Sequence, residues 1–336
     1  MKRITIKDVA ARVGVSCATV SRALADRPEI REETKARVRS ACEALGYVPN
    51  IAARGLVRSC TQTLGLVVPN ISNPYFSQLA LSIETTAQKH GYHVILCNSM
   101  LDPAHEYESI LALIRLQVDG LIVAAFSPET QQATEEAAGQ TPVIYLGGNH
   151  NGNCSYIKVD TEQGAYLGTQ YLIGLGHRSI AFVGGHDRAN PSQRRLHGFQ
   201  RAIRESGVCG VDYPLPPEGD VGDRAYELAC RVLDEKPVPG AILAYSDHVA
   251  LAILRALYER GLRVPEDISL IGFDDAASAG LPRVNLTSVA QRRCDLGALA
   301  VSRLMEKIGG NLHQTHDIFE PEIIVRGSCR AVDGTS

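Results

Sequence analysis

The sequence predicts a small all-α head followed by an α/β body, and three observations support this fold class. Residues 1–47 contain three short segments with helical periodicity, whereas β-rich apolar runs alternate with amphipathic segments from Leu64 onward. Alternating strands and helices are typical of parallel sheets that are covered by helices on both faces. The strands are more numerous than one open sheet usually holds, so we expect two α/β lobes with a cleft between them.

The head is predicted to contain a helix-turn-helix. Thr5 and Asp8 are spaced for a capping box at the start of the first helix, and Gly14 permits the turn that follows. Ser16 is placed to cap the second helix, and a third helix is predicted at 32–45. In a helix-turn-helix the second helix enters the major groove of DNA. An ordinary three-helix bundle is the alternative, but it does not explain the basic charge of this segment.

Charge is distributed unevenly along the chain. Residues 1–60 contain 12 Lys and Arg against 6 Asp and Glu, whereas the remaining residues contain 22 against 31. A basic head on an acidic body predicts a polyanion as the partner of the head alone. The outward face of the second helix is formed by Ala18, Ser21 and Arg22.

The composition argues against several classes of protein. The nine cysteines are odd in number and lack a C-x-x-C pair, which favours reduced thiols and a cytoplasmic location. No apolar run has the length of a membrane span, and no signal-peptide core precedes Asp8. His313 and His316 lack neighbouring ligand residues, so we expect no metal site.

The sequence also lacks the motifs of common enzymes. It contains no G-x-x-x-x-G-K-[ST], no G-x-S-x-G and no H-E-x-x-H. The pairs G-G-N (147–149) and G-G-H (184–186) end predicted strands but do not complete a dinucleotide-binding motif. We therefore expect neither catalysis nor a cofactor.

Motifs in both parts of the chain point to one family. The head and hinge motifs are I-T-I-K-D-V-A-A-R-V-G-V-S-C-A-T-V-S-R-A-L (4–24) and G-Y-V-P-N-I-A-A-R-G-L (46–56). The body motifs are N-P-Y-F (73–76), L-G-H-R-S-I-A-F-V-G-G (175–185), R-L-H-G-F (195–199), S-D-H-V-A-L-A-I-L (246–254), R-V-P-E-D-I-S-L-I-G-F-D-D (263–275) and E-I-I-V-R-G-S (322–328). With these motifs the chain resembles the lactose-repressor (LacI/GalR) family of bacterial transcription regulators along nearly its whole length.

The resemblance implies a division into a DNA-binding head, a hinge and an effector-binding body. The body of that family is similar to periplasmic sugar-binding proteins and also forms the dimer. The expected boundaries are 1–47 for the helix-turn-helix head, 48–61 for the hinge helix and linker, and 62–336 for the body, with lobe 1 at about 62–160 plus 291–320 and lobe 2 at about 161–290 plus 321–330.

The resemblance also implies which residues face DNA. They are Thr5, Ser16, Cys17, Ala18, Thr19, Ser21, Arg22, Thr34, Tyr47, Asn50, Ala53, Arg54 and Leu56. The guanidinium of Arg22 suits the O6 and N7 atoms of guanine, whereas hydroxyls bind phosphates and set the register. Cys17 and Ala18 offer only apolar contact, and a space-filling role is their alternative. Leu56 is expected to act as an apolar wedge between base steps in the minor groove.

A second set of residues matches effector-binding positions between the lobes. They are Asn73, Tyr75, Phe76, Arg195, Asp247, Gln291 and Arg293. A carboxylate and a guanidinium suit the hydroxyls of a sugar, and aromatic rings suit its C–H face. Val221 and Gly147 stand where relatives often have an aromatic residue and an aspartate, so the identity of the effector stays open. A sugar is expected, an acidic or phosphorylated ligand is the alternative, and a purely structural role remains open for Asp247 and Arg195.

These features together predict a sequence-specific transcription regulator. We expect a homodimer that binds a pseudo-palindromic operator in double-stranded DNA, does not contact a membrane and represses a carbohydrate-utilisation operon. Its operator affinity is expected to respond to a sugar or sugar derivative. An activator or a corepressor-dependent regulator is the main alternative, and a stand-alone sugar-binding protein is a more remote one.

Overall fold

The computed structural model describes two compact units. The described residues are 4–47, 60–124, 128–148, 154–185, 190–216, 219–235 and 237–332. Of the described residues, one unit contains 4–47, 60–63 and 117–119, and the other contains 64–116 and the described residues from 120 to 332.

The first unit contains the three predicted helices of the head, α1 (Ile6–Val13), α2 (Cys17–Leu24) and α3 (Glu32–Leu45). The Asp8 carboxylate accepts the Thr5 backbone N–H at 2.8 Å, and the Ser16 hydroxyl accepts the Thr19 backbone N–H at 3.1 Å. The apolar sides of the helices form one small core, made of Val9, Ala10, Val13, Val20, Ala23, Val38, Ala41 and Cys42. The predicted helices and both predicted caps are therefore confirmed.

The linker after the head is anchored at its end. The backbone N–H groups of Thr61 and Gln62 each donate to the Asp119 carboxylate at 2.7 Å. The Thr61 hydroxyl donates to the same carboxylate at 3.0 Å. Asp119 thereby fixes the path of the residues that lead into the first strand.

The second unit contains two six-stranded sheets, as the alternation of strands and helices predicts. The first sheet has the order β11-β5-β4-β3-β1-β2 and the second has the order β12-β10-β9-β8-β6-β7. The strands are β1 (Thr63–Val68), β2 (His93–Asn98), β3 (Gly120–Val123), β4 (Val143–Leu146), β5 (Tyr156–Val159), β6 (Ser179–Val183), β7 (Cys209–Tyr213), β8 (Ala241–Ala244), β9 (Ser269–Asp274), β10 (Thr287–Ala290), β11 (His316–Phe319) and β12 (Glu322–Ile324).

The strands within each sheet pair mainly in parallel. In the first sheet β1 with β3, β3 with β4, β4 with β5 and β5 with β11 are parallel. In the second sheet β6 pairs in parallel with β7 and β8, β9 pairs in parallel with β8 and β10, and β12 is antiparallel to β10. We call the elements around the first sheet the first lobe and those around the second sheet the second lobe.

Helices connect the strands and cover the sheets. They are α4 (Pro74–Lys89), α5 (Pro103–Arg115), α6 (Pro128–Ala138), α7 (Thr161–Gly174), α8 (Asn190–Ser206), α9 (Val221–Asp234), α10 (Asp247–Glu259) and α11 (Arg293–Ile308). The chain crosses between the lobes after β5, after β10 and after β11. Helices and parallel strands of this kind place the carboxyl ends of the strands beside the helix N-termini, where ligands of open α/β sheets bind.

Close packing of α7 and α8 depends on one glycine. A Cβ atom at Gly198 would lie 2.0 Å from the backbone oxygen of Glu162 in α7. Only a residue without a side chain lets the two helices approach this closely. The glycine of the R-L-H-G-F motif therefore sets the position of α8, and with it the positions of Arg194 and Arg195.

Candidate functional site

A cavity lies between the two lobes at the carboxyl ends of their strands. Its volume is about 120 Å³. A cavity needs about 10–15 Å³ of accessible volume to hold one water molecule. By this measure the cavity has room for a molecule of monosaccharide size but not for a polymer. The lining residues are Asn73, Tyr75, Phe76, Leu79, Ala124, Leu146, Gly147, Gly148, Lys158, Val159, Thr161, Arg194, Arg195, Tyr245, Ser246, Asp274, Gln291 and Leu296.

Arg195 is the central cation of the second-lobe wall. It lies in α8, is only 5% exposed, and its guanidinium stacks 3.9 Å from the centre of the Phe273 ring and 4.5 Å from that of Tyr245. One terminal nitrogen donates to the Tyr245 carbonyl, and the other lies 3.4 Å from Asp274 Oδ1. The buried Nε has no hydrogen-bond partner among the described residues. Two rings and an ion pair thus fix a planar donor group at the cavity wall.

Asp274 is the carboxylate of the cavity. It ends β9 with a φ of 110°, and its Oδ1 accepts hydrogen bonds from both Arg195 and Gln291. Burial raises the pKa of this carboxyl to about 6, against the opposing effects of Arg195, Gln291 and Arg293. Among the described residues no group donates to Oδ2. That oxygen therefore has lone pairs available to accept further hydrogen bonds.

The first lobe supplies an aromatic wall. The Asn73 side chain accepts the Tyr75 backbone N–H at 3.0 Å and so begins α4, with Pro74 at its first position. The rings of Tyr75 and Phe76 meet edge to face with centroids 4.9 Å apart. Burial raises the pKa of Tyr75, so its hydroxyl stays protonated at neutral pH. Such a wall suits the C–H face of a ring.

Asp247 does not line the cavity, contrary to the expectation from sequence. It is 1% exposed, its Oδ1 accepts the Ser288 hydroxyl at 2.6 Å and its Oδ2 accepts the Ala276 backbone N–H at 2.6 Å. Burial, together with the charge of Asp274, raises the pKa of Asp247 to about 7. Because both oxygens accept protein donors, Asp247 has a structural role beneath the strand end in this structure, which is the alternative that the sequence left open.

Arg293 also lies outside the lining set. Its guanidinium donates to the backbone carbonyl of Asp274 at 3.3 Å and to that of Asp275. It therefore holds the end of β9 in place rather than adding charge to the lining, as the sequence had led us to expect. Gln291, in contrast, lines the cavity and donates a hydrogen bond to Asp274. The other expected residues that line the cavity are Asn73, Tyr75, Phe76 and Arg195.

Sequence reasoning missed several cavity residues. Asp274 had a usable signal, because F-D-D (273–275) follows a buried apolar run and carboxylates at a strand end belong to the ligand edge of a parallel sheet. Tyr245 and Ser246 had a similar signal, because they are polar residues that directly follow the apolar strand β8. Lys158 had none, because the short strand that contains it is half polar.

The head presents a second candidate surface, on α2. Ala18 and Arg22 are exposed one turn apart, and Ser21 beside them is half-buried. The Ser16 and Thr19 hydroxyls lie 2.9 Å from each other at the start of the helix. Cys17 and Tyr47 are half-buried and pack on the core of the head.

The other predicted DNA contacts differ in exposure, and some of them lie outside the described residues. The Thr5 hydroxyl is exposed and donates to Asp8 at 2.7 Å, and Thr34 is half-buried near the start of α3. The remaining predicted contacts lie outside the described residues: Asn50, Ala53, Arg54 and Leu56. The hinge helix and linker predicted at 48–61 also lie outside the described residues, except for residues 60 and 61.

The described residues contain neither a metal-binding cluster nor a membrane-spanning helix. No group of three or more His, Cys, Asp or Glu that could bind a metal is found among them. His316 instead stacks on Tyr156 with ring centroids 4.5 Å apart, and its Nε2 lies 3.1 Å from the Cys154 carbonyl oxygen. Within the same residues, no helix combines the length and the apolar character needed to span a bilayer.

Two family descriptions match parts of the chain. Residues 5–50 match "Bacterial regulatory proteins, lacI family", and residues 169–329 match "Periplasmic binding protein-like domain". The first match covers the helix-turn-helix, and the second covers most of the second lobe.

Individual proteins match most of the chain. Catabolite control protein A of Priestia megaterium is 36% identical over 307 residues, which is 90% of this chain and 92% of that protein. The lac repressor dimer bound to operator and the anti-inducer ONPF superposes with a TM-score of 0.85 at 26% identity, over 98% of this chain and 100% of the other. A LacI-family transcriptional regulator of Enterococcus faecium with bound ribose has a TM-score of 0.72 at 28% identity, over 81% of this chain and 100% of the other.

Proposed function

The chain belongs to the lacI family of bacterial regulatory proteins, and we propose that it is a homodimeric repressor of a carbohydrate-utilisation operon. A sugar or sugar derivative bound in the cavity switches its affinity for the operator. The relatives named above are transcription regulators, and no reaction is assigned to the cavity in this proposal.

The arrangement of Asp274, Arg195 and Gln291 is the observation that supports a polyol. Oδ1 of Asp274 is held by Arg195 and Gln291, whereas Oδ2 accepts no protein donor among the described residues. A fixed carboxylate beside a fixed guanidinium recognises neighbouring hydroxyl groups, which donate to the one and accept from the other. The Tyr75 and Phe76 wall across the cavity packs against the C–H face of the ring.

The exposed face of α2 supports DNA recognition by the head. Arg22 and Ala18 are exposed on α2, and the second helix of a helix-turn-helix is the one that enters the major groove. Two heads in a symmetric dimer fit the two half-sites of a pseudo-palindrome. The lac repressor that matches this chain was solved as a dimer on operator DNA.

The switch uses the two-lobed body. A sugar that contacts Tyr75 in the first lobe and Asp274 in the second changes the relative populations of open and closed lobes. The linker residues Thr61 and Gln62 are tied to Asp119, which directly precedes β3 of the first lobe in the chain. Lobe closure thereby changes the spacing of the two hinge segments in the dimer, and with it the affinity for DNA.

The test needs an operator and a sugar, and both are identified with the purified full chain. Selection from random DNA yields the operator, and a thermal-shift screen of common monosaccharides yields the effector. Asp274→Asn is expected to fold and to bind the operator with unchanged affinity but to lose at least about 10-fold in sugar affinity, since an amide replaces a carboxylate acceptor. Glu227→Gln, an exposed substitution on α9, is the matched control and is expected to behave as wild type.

Two outcomes would contradict the proposal. One is an Asp274→Asn variant that binds the sugar as tightly as wild type. The other is a sugar that binds the cavity without changing operator affinity. The direction of the change separates induction, which releases DNA, from corepression, which strengthens binding.

A further inference from the structure

Among the described residues that line the cavity, the cations outnumber the acidic groups. Lys158, Arg194 and Arg195 belong to this part of the lining, and Asp274 is the one carboxylate among the same described residues. The end of β4 at this edge contributes Gly147 and Gly148, neither of which has a charge to offer. A neutral sugar needs hydrogen-bond donors and acceptors but no excess of positive charge.

The two arginines already have carboxylate partners in the protein. Arg195 lies 3.4 Å from Asp274, and Arg194 lies 3.1 Å from Asp160 and 3.8 Å from Glu162. Asp160 and Glu162 are not part of the lining. Their charges therefore offset Arg194 from outside the cavity.

Lys158 is different from both arginines. It lies in β5 of the first lobe, is half-buried, and among the described residues has no carboxylate within 4.0 Å. Its Nζ lies 4.9 Å from the centre of the Tyr156 ring, which is a weak partner for an ammonium group. Burial and the neighbouring Arg194 lower the pKa of Lys158, and Asp160 opposes them. An anion inside the cavity would reverse this effect and stabilise the charged form.

Backbone groups add to the positive potential at the same place. Three helices begin at the cavity, since Asn73 caps α4, Ser246 caps α10 and Thr161 is the first residue of α7. The N-terminus of a helix has a partial positive charge and favours anions. This contribution alone would not define a site, but it acts together with Lys158 and the buried, partly unpaired Arg195.

We propose that the effector is a polyol with an acidic group, a sugar acid or a sugar phosphate, and that Lys158 selects it. This proposal rests on the function proposed above. The hydroxyl groups bind at Asp274, Arg195 and Gln291 in the second lobe. The acidic group pairs with the Lys158 ammonium in the first lobe, so the negative charge bridges the two lobes.

The experiment compares matched compounds by isothermal titration calorimetry at fixed ionic strength. The sets are glucose, gluconate and glucose 6-phosphate; ribose, ribonate and ribose 5-phosphate; and galactose, galactonate and galactose 6-phosphate. In at least one set an acidic member is expected to bind the wild-type protein about 10-fold or more tightly than the neutral sugar, which is about 1.4 kcal/mol. Preference for the carboxylate or for the phosphate identifies the source of the charge.

Three variants test the assignment to Lys158. In the Lys158→Met variant, the dissociation constants of the acidic and neutral members of a set are expected to differ by no more than about 3-fold. The Lys158→Arg variant keeps the positive charge and is expected to retain the preference for the acidic member. Lys89→Met, on the exposed side of α4, removes the same charge elsewhere and is expected to match wild type. A thermal melt of each variant confirms that it is folded.

Results that contradict an acidic effector can be told apart from results that contradict the proposed function. If neutral sugars bind as tightly as their acidic counterparts in every set, and Asp274→Asn abolishes that binding, the polyol site stands and the acidic effector is wrong. If Lys158→Met keeps the full preference, the assignment to Lys158 is wrong. If no compound of any set binds, both proposals fail.

Discussion

The carboxylate of Asp247 occupies the space that a side chain at Gly272 would need. A Cβ atom on Gly272 would lie 2.1 Å from Asp247 Oδ1, far inside van der Waals contact. Asp247 begins α10 and Gly272 lies in the middle of β9, so this close approach joins a helix N-terminus to the strand that ends in Asp274. The same carboxylate accepts hydrogen bonds from the backbone N–H of Ala276, which follows β9, and from the hydroxyl of Ser288, which lies in β10. The cavity wall is thus built on a buried polar cluster.

Gly272→Ala is expected to destabilise the body of the protein. The added methyl displaces the Asp247 carboxylate from its two donors, and overpacking of this kind costs about 1–3 kcal/mol. Gly174→Ala is the control, because no atom lies within 4 Å of a Cβ at the end of α7. Urea unfolding followed by circular dichroism measures both variants. Equal free energies of unfolding for the two would contradict the packing described here.

The buried Asp247 predicts a pH dependence of stability. Its pKa is raised from 3.8 to about 7 in the folded protein. The folded state therefore retains a proton that the unfolded state loses, and the free energy of unfolding falls as pH rises from about 4 to about 7. For one proton the slope is at most about 1.4 kcal/mol per pH unit.

Asp247→Asn removes this titration and isolates it from the other groups. The variant is expected to show a shallower decline of the free energy of unfolding between pH 4 and 7 than wild type. Its sugar affinity is expected to change less than that of Asp274→Asn, because Asp247 does not line the cavity. Parallel stability curves for wild type and Asp247→Asn would show that this carboxyl does not titrate in that range.

Arg22→Ala tests base recognition by α2. Loss of a bidentate contact to guanine costs about 1–3 kcal/mol of discrimination, so the ratio of operator affinity to random-DNA affinity is expected to fall by about 5-fold or more. Arg39→Ala, which breaks an exposed pair with Asp26, removes the same charge from α3 and is expected to leave that ratio unchanged. Fluorescence anisotropy at matched salt measures both, since phosphate contacts depend strongly on salt. An unchanged ratio for Arg22→Ala would remove this residue from the base-reading set.

Leu56→Ala tests the hinge that the sequence predicts. Leu56 is expected to unstack a central base step and to allow a bend that adds contacts, so its loss is expected to weaken operator binding severely. Sugar binding is expected to be unchanged, because the wedge and the cavity belong to different parts of the chain. Wild-type operator affinity for Leu56→Ala would show that this side chain does not act as a wedge.

The sequence predicted the elements that have strong local signals. The three head helices follow from apolar periodicity, from Asp8 placed to cap at Thr5 and from Ser16 as a cap, and the structure confirms all three. The buried central strands have covered faces on both sides, so their apolar runs are continuous and visible in the sequence, as in A-I-L-A (241–244). Short strands with mixed burial, such as β5 with Tyr156 and Lys158, give no such run.

The site was only partly predictable for a physical reason. Asp247 and Asp274 are both acidic residues at the carboxyl edge of the second sheet, and sequence alone does not say which of them has its oxygens occupied. Ser288 and Ala276, which satisfy Asp247, lie 41 and 29 positions away in the chain. The role of each carboxylate is decided by these distant donors, which only the folded structure brings together.

If the cavity and the operator site are coupled, the effector and the operator each change the affinity of the protein for the other. The dissociation constant of the operator is measured across a titration of the identified effector, and the dissociation constant of the effector is measured with and without operator. Both constants are expected to change by the same factor, about 10-fold or more, because coupling between two binding sites is reciprocal. Operator affinity that stays constant at saturating effector would contradict the account.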